Sequence, residues 1–467
     1  MLGAAWLALA AGCAVGPDFK RPAMALPAAF KENPGWKVAS PDEAAPRGPW
    51  WEVFGDPVLN DLEVQVEKAN ETLKEAVATY DEARQVVRSD RTAYLPTIGV
   101  EGLANKSRIP SSQSATGHAT TNSTYTGELT GSWAPDFWGK TRRTVEADVA
   151  TAQADAAALA VARLSLQATL ATDYVGLRVA DDQLRLLENA VAAYKRTLEI
   201  TKNKYAVGVS GRGDIITAQT QLDSTRAQLI SAGIQRAQYE HAIAVLVGKA
   251  PAEFSLPRRA EVGLTRPEIP GVVPSELLER RPDVAEAERL AASANARVGI
   301  QVAAYFPTVS LSGAAGYEGS PLGSLFSAPF RFWTLGAQAT DSLLDWGQRH
   351  DLVLSAKAAY ESSAASYRET VLTALQQVED NLSNLRILAE EAKVQNQAVT
   401  EAAQASQIAL NEYNAGTVDF TTVATAQVTE LNNRETSLSI LNSQLTSSIA
   451  LIQALGGGWT QSDLPKP

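Results

Sequence analysis

From Val58 onward the apolar positions follow a cycle that runs twice: helix, two alternating segments, a very long helix, a turn and a returning helix. Val58 to Thr92 has neither Gly nor Pro and predicts a helix that Leu95-Pro96 ends. Thr97 to Ile109 alternates loosely and Tyr125 to Ala134 clearly. In the second segment Tyr125, Gly127, Leu129, Gly131 and Trp133 point one way, and Thr126, Glu128, Thr130 and Ser132 the other. A Ser/Thr/Gly-rich loop, Pro110 to Ser123, lies between them. The pattern recurs after Phe306-Pro307. Val309, Leu311 and Gly313 alternate with Ser310 and Ser312, and Trp333, Leu335, Ala337 and Ala339 with Thr334, Gln338 and Thr340. Glu318 to Pro329 is the loop between.

Each hairpin precedes an unusually long helical stretch. Lys140 to Tyr205 spans about 66 residues, on the order of 100 Å at 1.5 Å per residue. Gln348 to Ala415 has no Gly or Pro and predicts an equal length. Leu170, Leu177, Leu184, Val191, Leu198 and Tyr205 recur every seven residues, with Leu187 and Tyr194 interleaved, which is coiled-coil spacing. Ile215, Leu222 and Leu229 carry the seam onto the returning helix, as Leu431, Leu438, Leu445 and Ile452 do in the second copy. Val378, Leu385, Ala392, Val399, Ser406 and Tyr413 form a thinner series whose small residues suit close antiparallel packing.

The two cycles are one unit duplicated. Trp138 and Trp346, Tyr205 and Tyr413, Gly208 and Gly416, and Ala218 and Ala426 are each 208 residues apart, and Arg178 falls on Arg386. Ala93-Tyr94-Leu95-Pro96 and Ala304-Tyr305-Phe306-Pro307 precede the copies 211 residues apart. Strands of about ten residues, apolar outward and polar inward, with a polar loop, have the pattern of a membrane β-hairpin. Four strands do not close a barrel, and lipid does not tolerate open edges. The chain must therefore pool strands with copies of itself, and three copies supply twelve.

Composition sharpens this picture. Apolar residues make up 45% and aromatics 7%, as suits long helices touching through small side chains. A net charge of −11 with no basic stripe excludes nucleic acid as a partner. Cys13, the one cysteine, excludes an internal disulfide framework, and no apolar run of about 18 residues predicts a transmembrane helix.

Residues 1–12 are short and apolar, with small residues leading into Cys13, and resemble the signal and lipobox of a bacterial lipoprotein. Cleavage there leaves Cys13 to carry the acyl chains, each methylene contributing about 0.8 kcal/mol to anchorage. The alternative is a buried amino-terminal helix with an incidental cysteine. Residues 13–57 form a Pro-rich extended tether, 58–248 the first repeat, 249–282 a connector with prolines at 251, 257, 267, 270, 274 and 282, 283–457 the second repeat and 458–467 a polar tail.

No catalytic cluster is present. His118, His241 and His350 are scattered, no glycine-rich phosphate loop occurs, and Asp181-Asp182 and Glu390-Glu391 predict solvated helix faces. No cofactor or metal is called for beyond the lipid on Cys13. Weight falls instead on the two turns, Tyr205 to Asp214 and Tyr413 to Asp419. Gly208 and Gly416 fit the left-handed position that closes a helix. Asp214 and Asp419 are either caps of the following helices or, in an oligomer, rings of carboxylate around a narrow mouth.

Together, Gly12-Cys13, Gly16-Pro17-Asp18-Phe19, Trp50-Trp51, Phe54-Gly55-Asp56-Pro57, Asp136-Phe137-Trp138-Gly139, Arg281-Pro282-Asp283-Val284, Ala304-Tyr305-Phe306-Pro307 and the two Tyr-x-x-Gly tips resemble the outer membrane efflux protein family. These are the TolC-like channels, and within them the match is to the OprM/NodT type of lipoprotein. The resemblance spans Cys13 to Gly456. It implies a mainly α protein with a membrane β-barrel: a homotrimer with a twelve-stranded outer-membrane barrel and a periplasmic helical barrel of antiparallel coiled coils. It further implies a closed periplasmic end that docks an adaptor and an inner-membrane RND-type pump. The resemblance places the gate at Tyr205, Asp214, Tyr413 and Asp419, and adaptor docking at Val207, Gly208, Val209 and Gly416. Thr422 and Thr425 stand where TolC has acidic residues, so its gating contacts do not transfer. The reading is a passive exit duct for small molecules, not an enzyme. The alternatives are a non-conducting lipoprotein scaffold or the exit duct of a type I protein secretion system.

Overall fold

The computed structural model describes residues 14–27, 29–32, 49–113, 117–259, 261–265, 280–320, 322–460 and 463–464. The signal and Cys13 lie outside the described residues, as do most of 28–48 and 266–279. Seven α-helices and four strands are described: α1 Pro57–Ala69, α2 Glu71–Arg91, β1 Thr97–Ile109, β2 Thr120–Trp133, α3 Lys140–Ala206, α4 Arg212–Leu246, α5 Pro282–Ala303, β3 Thr308–Gly319, β4 Arg331–Thr340, α6 Gln348–Ala415 and α7 Phe420–Ala454.

The expected single helix over 58–92 is broken once. Asn70 leaves the helical region at φ −65, ψ 125, and its side chain accepts a bond from Leu73 N at 3.0 Å while donating to Leu246 O at 2.9 Å. An asparagine that caps a new helix and satisfies the carbonyl end of α4 outweighs uninterrupted propensity.

α3 and α6 run unbroken for 67 and 68 residues. Each starts beside an aspartate whose carboxylate takes the free amides of a helix start. Asp136 accepts from Thr141 N at 3.1 Å and Arg142 N at 2.8 Å, and Asp345 accepts from Gly347 N at 3.1 Å and Arg349 N at 3.3 Å. Gly139 begins α3 at φ +79, and a Cβ there would stand 2.6 Å from Ala14 Cα, so the tether crosses at a point only glycine permits.

The heptad series forms the helix seams. Leu170, Leu177, Leu184, Leu187, Tyr194 and Leu198 are buried on α3, and Val378, Ala392, Ser406 and Tyr413 on α6. α3 packs along α4 and α5, and α6 along α5 and α7. One apolar core gathers Trp50, Phe54, Leu59, Leu62, Tyr174, Leu177 and Ile243, and a second lies nearer the turns around Leu198, Leu222, Phe420 and Val423.

Asp181 and Asp182 are buried, contrary to the solvated face expected of them. Asp181 pairs with Arg178 at 3.0 Å and Arg236 at 2.7 Å, while Asp56 pairs with Arg259 at 2.6 Å and accepts the Tyr174 hydroxyl at 2.8 Å. The connector residues 256–259 supply this network's carbonyl and guanidinium groups, so the acids are covered by chain that is remote in sequence. Arg386, the repeat counterpart of Arg178, is half exposed and pairs instead with Glu32 of the tether at 2.7 Å.

Candidate functional site: an apolar sheet face and a double turn

The strands form one antiparallel sheet in the order β1-β2-β3-β4. Directly paired residues share a face, so the register assigns every side chain. One face carries Ile98 and Val100 of β1, Leu129 and Trp133 of β2, Leu311 and Ala315 of β3, and Trp333 and Leu335 of β4. Val100 is 84% exposed and Leu335 80%, values that do not suit a face turned to water. The opposite face carries Thr97, Glu101, Glu128, Thr130, Ser310, Ser312, Thr334 and Gln338, with Glu101 directly opposite Glu128. The alternation expected from sequence is present in β2, β3 and β4 and, loosely as expected, in the first half of β1; beyond Gly102, Leu103 and Ile109 fall on the polar face and Lys106 and Arg108 on the apolar one. β2 starts earlier than expected, at Thr120, because Thr120 to Thr124 pair with the far end of β1.

Where the sheet meets the helices the surface is aromatic. Trp133 Nε1 donates to Tyr94 O at 3.1 Å, and Trp138 Nε1 donates to Pro307 O at 2.9 Å while its ring stacks on Phe306 at 4.7 Å. Trp346 is 89% exposed. Indoles with a satisfied N–H and a bare ring belong at a lipid–water boundary. In the sequence Trp138 and Trp346 read as landmarks of the repeat; their position just past a strand end is the signal that marks this belt.

At the other end of the helices the two turns close alike. Gly208 N donates to Tyr205 O at 2.9 Å and Val209 N to Lys204 O at 2.9 Å; Gly416 N donates to Tyr413 O at 3.1 Å and Thr417 N to Glu412 O at 3.0 Å. This is the same pair of reversed bonds, with glycine left-handed at φ +76 and +81. The following helices are capped by the two aspartates. Asp214 accepts from Gly211 N at 3.1 Å and Ser210 Oγ at 2.6 Å, and Asp419 accepts from Thr422 N at 3.3 Å and Thr422 Oγ1 at 3.1 Å.

The two tyrosines part company. Tyr413 is 4% exposed, its ring edge-on to Phe420 at 5.6 Å and its hydroxyl donating to Thr201 Oγ1 at 3.3 Å. Tyr205 is 47% exposed and stands beside the outward Val207 and Val209. Tyr413 and Asp214 are joined through Ser210, whose Oγ is 3.5 Å from the Tyr413 hydroxyl. Asp419 bonds within the start of its own helix. Lys204, which sequence reading missed, ties the two turns: its ammonium lies 4.1 Å from the Tyr413 ring centre and donates to the carbonyls of Tyr413 and Asn414. A lysine in the last turn of a helix is an ordinary cap in sequence, and nothing there reveals its reach across the tip. Among the described residues no group of His, Cys, Asp and Glu has the makings of a metal site, and no helix is long and apolar enough to cross a membrane.

A sheet with an apolar outer face and, among the described residues, two unpaired edges, carried on helices of this length, defines the class of a membrane duct with a long helical extension. The chain belongs to the outer membrane efflux protein family, whose profile matches residues 63–249 and 273–457. It is 28% identical over 451 residues to the probable efflux pump outer membrane protein TtgC of Pseudomonas putida, covering 96% of this chain and 93% of that one. It is 27% identical over 453 residues to the cation efflux system protein CusC of Escherichia coli, covering 96% of each. Among solved structures it resembles the outer-membrane channel OprN, at a TM-score of 0.90 and 27% identity over 96% of this chain and all of that one. It also resembles the open state of the Neisseria gonorrhoeae MtrE outer membrane channel, at 0.84 and 25% over 96% and 99%. The protein is thus an outer-membrane channel component of an efflux system, with its long helical part in the periplasm.

Proposed function

We propose that three copies close their sheets into a twelve-stranded barrel and form a passive exit duct fed by a periplasmic adaptor and an inner-membrane RND-type pump. The observation that carries this reading is the sheet itself, whose β1 and β4 edges have no strand partner among the described residues while one face is apolar from the helix end to within a few residues of the loop end. Tyr205, Asp214, Tyr413 and Asp419 form the closed periplasmic mouth. The exposed turn with Val207, Gly208 and Val209, and its counterpart at Gly416, dock the adaptor. A groove of about 790 Å³ lined by Tyr205, Ile215 and Ile216 together with Arg212, Gln219 and Asp223 offers that adaptor a mixed apolar and polar seat. Acyl chains on Cys13 anchor the amino terminus. Support comes from the residues that follow it: Ala14 lies against Gly139, and Val15 N donates to Trp138 O at 3.1 Å, beside the aromatic belt.

Planar-bilayer recording tests the duct and its mouth together. The trimer conducts weakly as purified and Tyr413→Ala and Asp419→Ala raise its conductance; silence in all three favours a non-conducting scaffold. Mass spectrometry of the amino terminus settles the anchor, an unacylated and unprocessed end counting against it.

A further inference from the structure

Three basic residues break the apolar face of the sheet, and all three do so at one end. Lys106 and Arg108 pair with Ser123 and Thr121, and Arg331 pairs with Tyr317, so the register puts them on the face of Val100 and Leu335. All are exposed. The acidic residues of the strands, Glu101, Glu128 and Glu318, are all on the opposite face. The sheet therefore separates its charges by sign: cations outward at the loop end, carboxylates inward. No carboxylate of the strands faces the three cations.

The height of the cations is informative. Arg108 lies ten residues beyond Ile98 along β1, about 33 Å of strand, and a tilt of about 40° reduces this to roughly 25 Å above the aromatic base. That equals the height of the apolar band of an outer-membrane barrel. Lys106 and Arg108 therefore sit where the hydrocarbon ends and headgroups begin, and Arg331, in register with Gly102 through Tyr317 and Gly127, opens β4 at the same loop end of the face; all three have stems long enough to lay their methylenes on the band and hold their charges above it. The helices mark the other end of the sheet as periplasmic, so these headgroups are those of the external leaflet. Tyr317, opposite Arg331, meets Phe326 edge-on at 5.5 Å and extends the apolar surface beneath the cation.

We propose that Lys106, Arg108 and Arg331 form a docking rim for phosphomonoester-bearing lipid of the external leaflet, acyl chains against the apolar band and phosphate on the cations. Two guanidinium forks and an ammonium match a doubly charged phosphate better than a zwitterionic headgroup. The inference rests on the trimeric barrel in one respect. Closure sets the β4 edge of one copy, with Arg331, beside the β1 edge of the next, with Lys106 and Arg108, so each rim site draws on two copies.

Native mass spectrometry of the full-length channel in detergent tests this, and the same spectra report the oligomeric state independently. The probes are bisphosphorylated lipid A and the same lipid enzymatically stripped of phosphate. The intact channel is expected to prefer the phosphorylated lipid by about tenfold or more, the scale of charge-assisted bonds to phosphate. Lys106→Gln/Arg108→Gln/Arg331→Gln should abolish the preference while leaving the trimer intact, and inorganic phosphate at millimolar concentration should not displace the lipid. Equal retention of both lipids, an unchanged preference in the triple variant, or full displacement by inorganic phosphate overturns the proposal. Should the triple variant not fold, Arg331→Gln and Lys106→Gln/Arg108→Gln are tested separately and each should reduce the preference. A monomer that keeps the preference counts against the trimer reading and against a site drawn from two copies, and not against recognition of the phosphate.

Discussion

Glu63 lies on α1 next to Leu59, Leu62 and Val66 of the apolar core, fully buried, and neither of its carboxyl oxygens has a hydrogen-bond partner among the described residues. It borders a crevice of about 380 Å³ with Trp51, Leu164, Gln167 and Trp459, where Glu67 and Arg163 pair with each other at 2.8 Å and leave Glu63 aside. Burial pushes its pKa from 4.5 up to about 9. Because the folded value is raised, Glu63's contribution to stability is intact below about pH 4.5 and is lost progressively as pH climbs toward 9. At pH 7.5 the folded protein holds a proton that the unfolded chain releases, at a cost of about 4 kcal/mol; at pH 5 the cost is below about 1 kcal/mol. Glu63→Leu preserves volume and removes the proton. It should raise the melting temperature of the helical circular-dichroism signal by several degrees at pH 7.5 and by much less at pH 5. Glu63→Gln should lose the pH dependence while still burying an unsatisfied amide. An equal gain from Glu63→Leu at both pH values, or a loss at pH 7.5, would refute the reasoning.

Two further outcomes follow from other parts of the molecule. Asp181→Ala strips the buried Arg178 of its carboxylate and leaves Arg236 short of one, so it should cost about 3–5 kcal/mol. That loss is read as a lower melting temperature of the helical circular-dichroism signal. Lys204→Met removes the cation that bridges the two turns and should raise single-channel conductance in planar bilayers with little change in melting temperature. A normal conductance with lowered stability would mark Lys204 as a packing residue only.

Much of the fold was legible because it is written in period and punctuation. α6 begins and ends where Gly and Pro permit, and the strands were readable because each has one face in lipid and one in water. The break at Asn70 was less legible, since its reason is a carbonyl at Leu246. Asp181 and Asp182 read as solvent-facing because the segments that cover them, around Asp56, Arg236 and 256–259, are distant in sequence. The tip was legible as a pair of turns and not as an asymmetric pair. Tyr205 and Tyr413 occupy equivalent places in the repeat, yet only Tyr413 finds Phe420, Thr201 and Lys204 around it. Glu63 gave no signal, because a glutamate between Leu62 and Val64 in an amphipathic helix reads like any exposed one.

The two bare edges of the sheet bear on how the protein reaches its membrane. Every unpaired amide and carbonyl on β1 and β4 would cost several kcal/mol in hydrocarbon, so a lone chain has no favourable path into the bilayer. On the trimeric reading proposed above, membrane entry is then a property of the group and not of the chain. Its rate should rise more steeply than the first power of concentration, and the helical portions, which tolerate water, are the parts free to find one another first. A single defective copy would hold back its intact companions, so a mixed population should insert less efficiently than the fraction of sound chains alone would suggest.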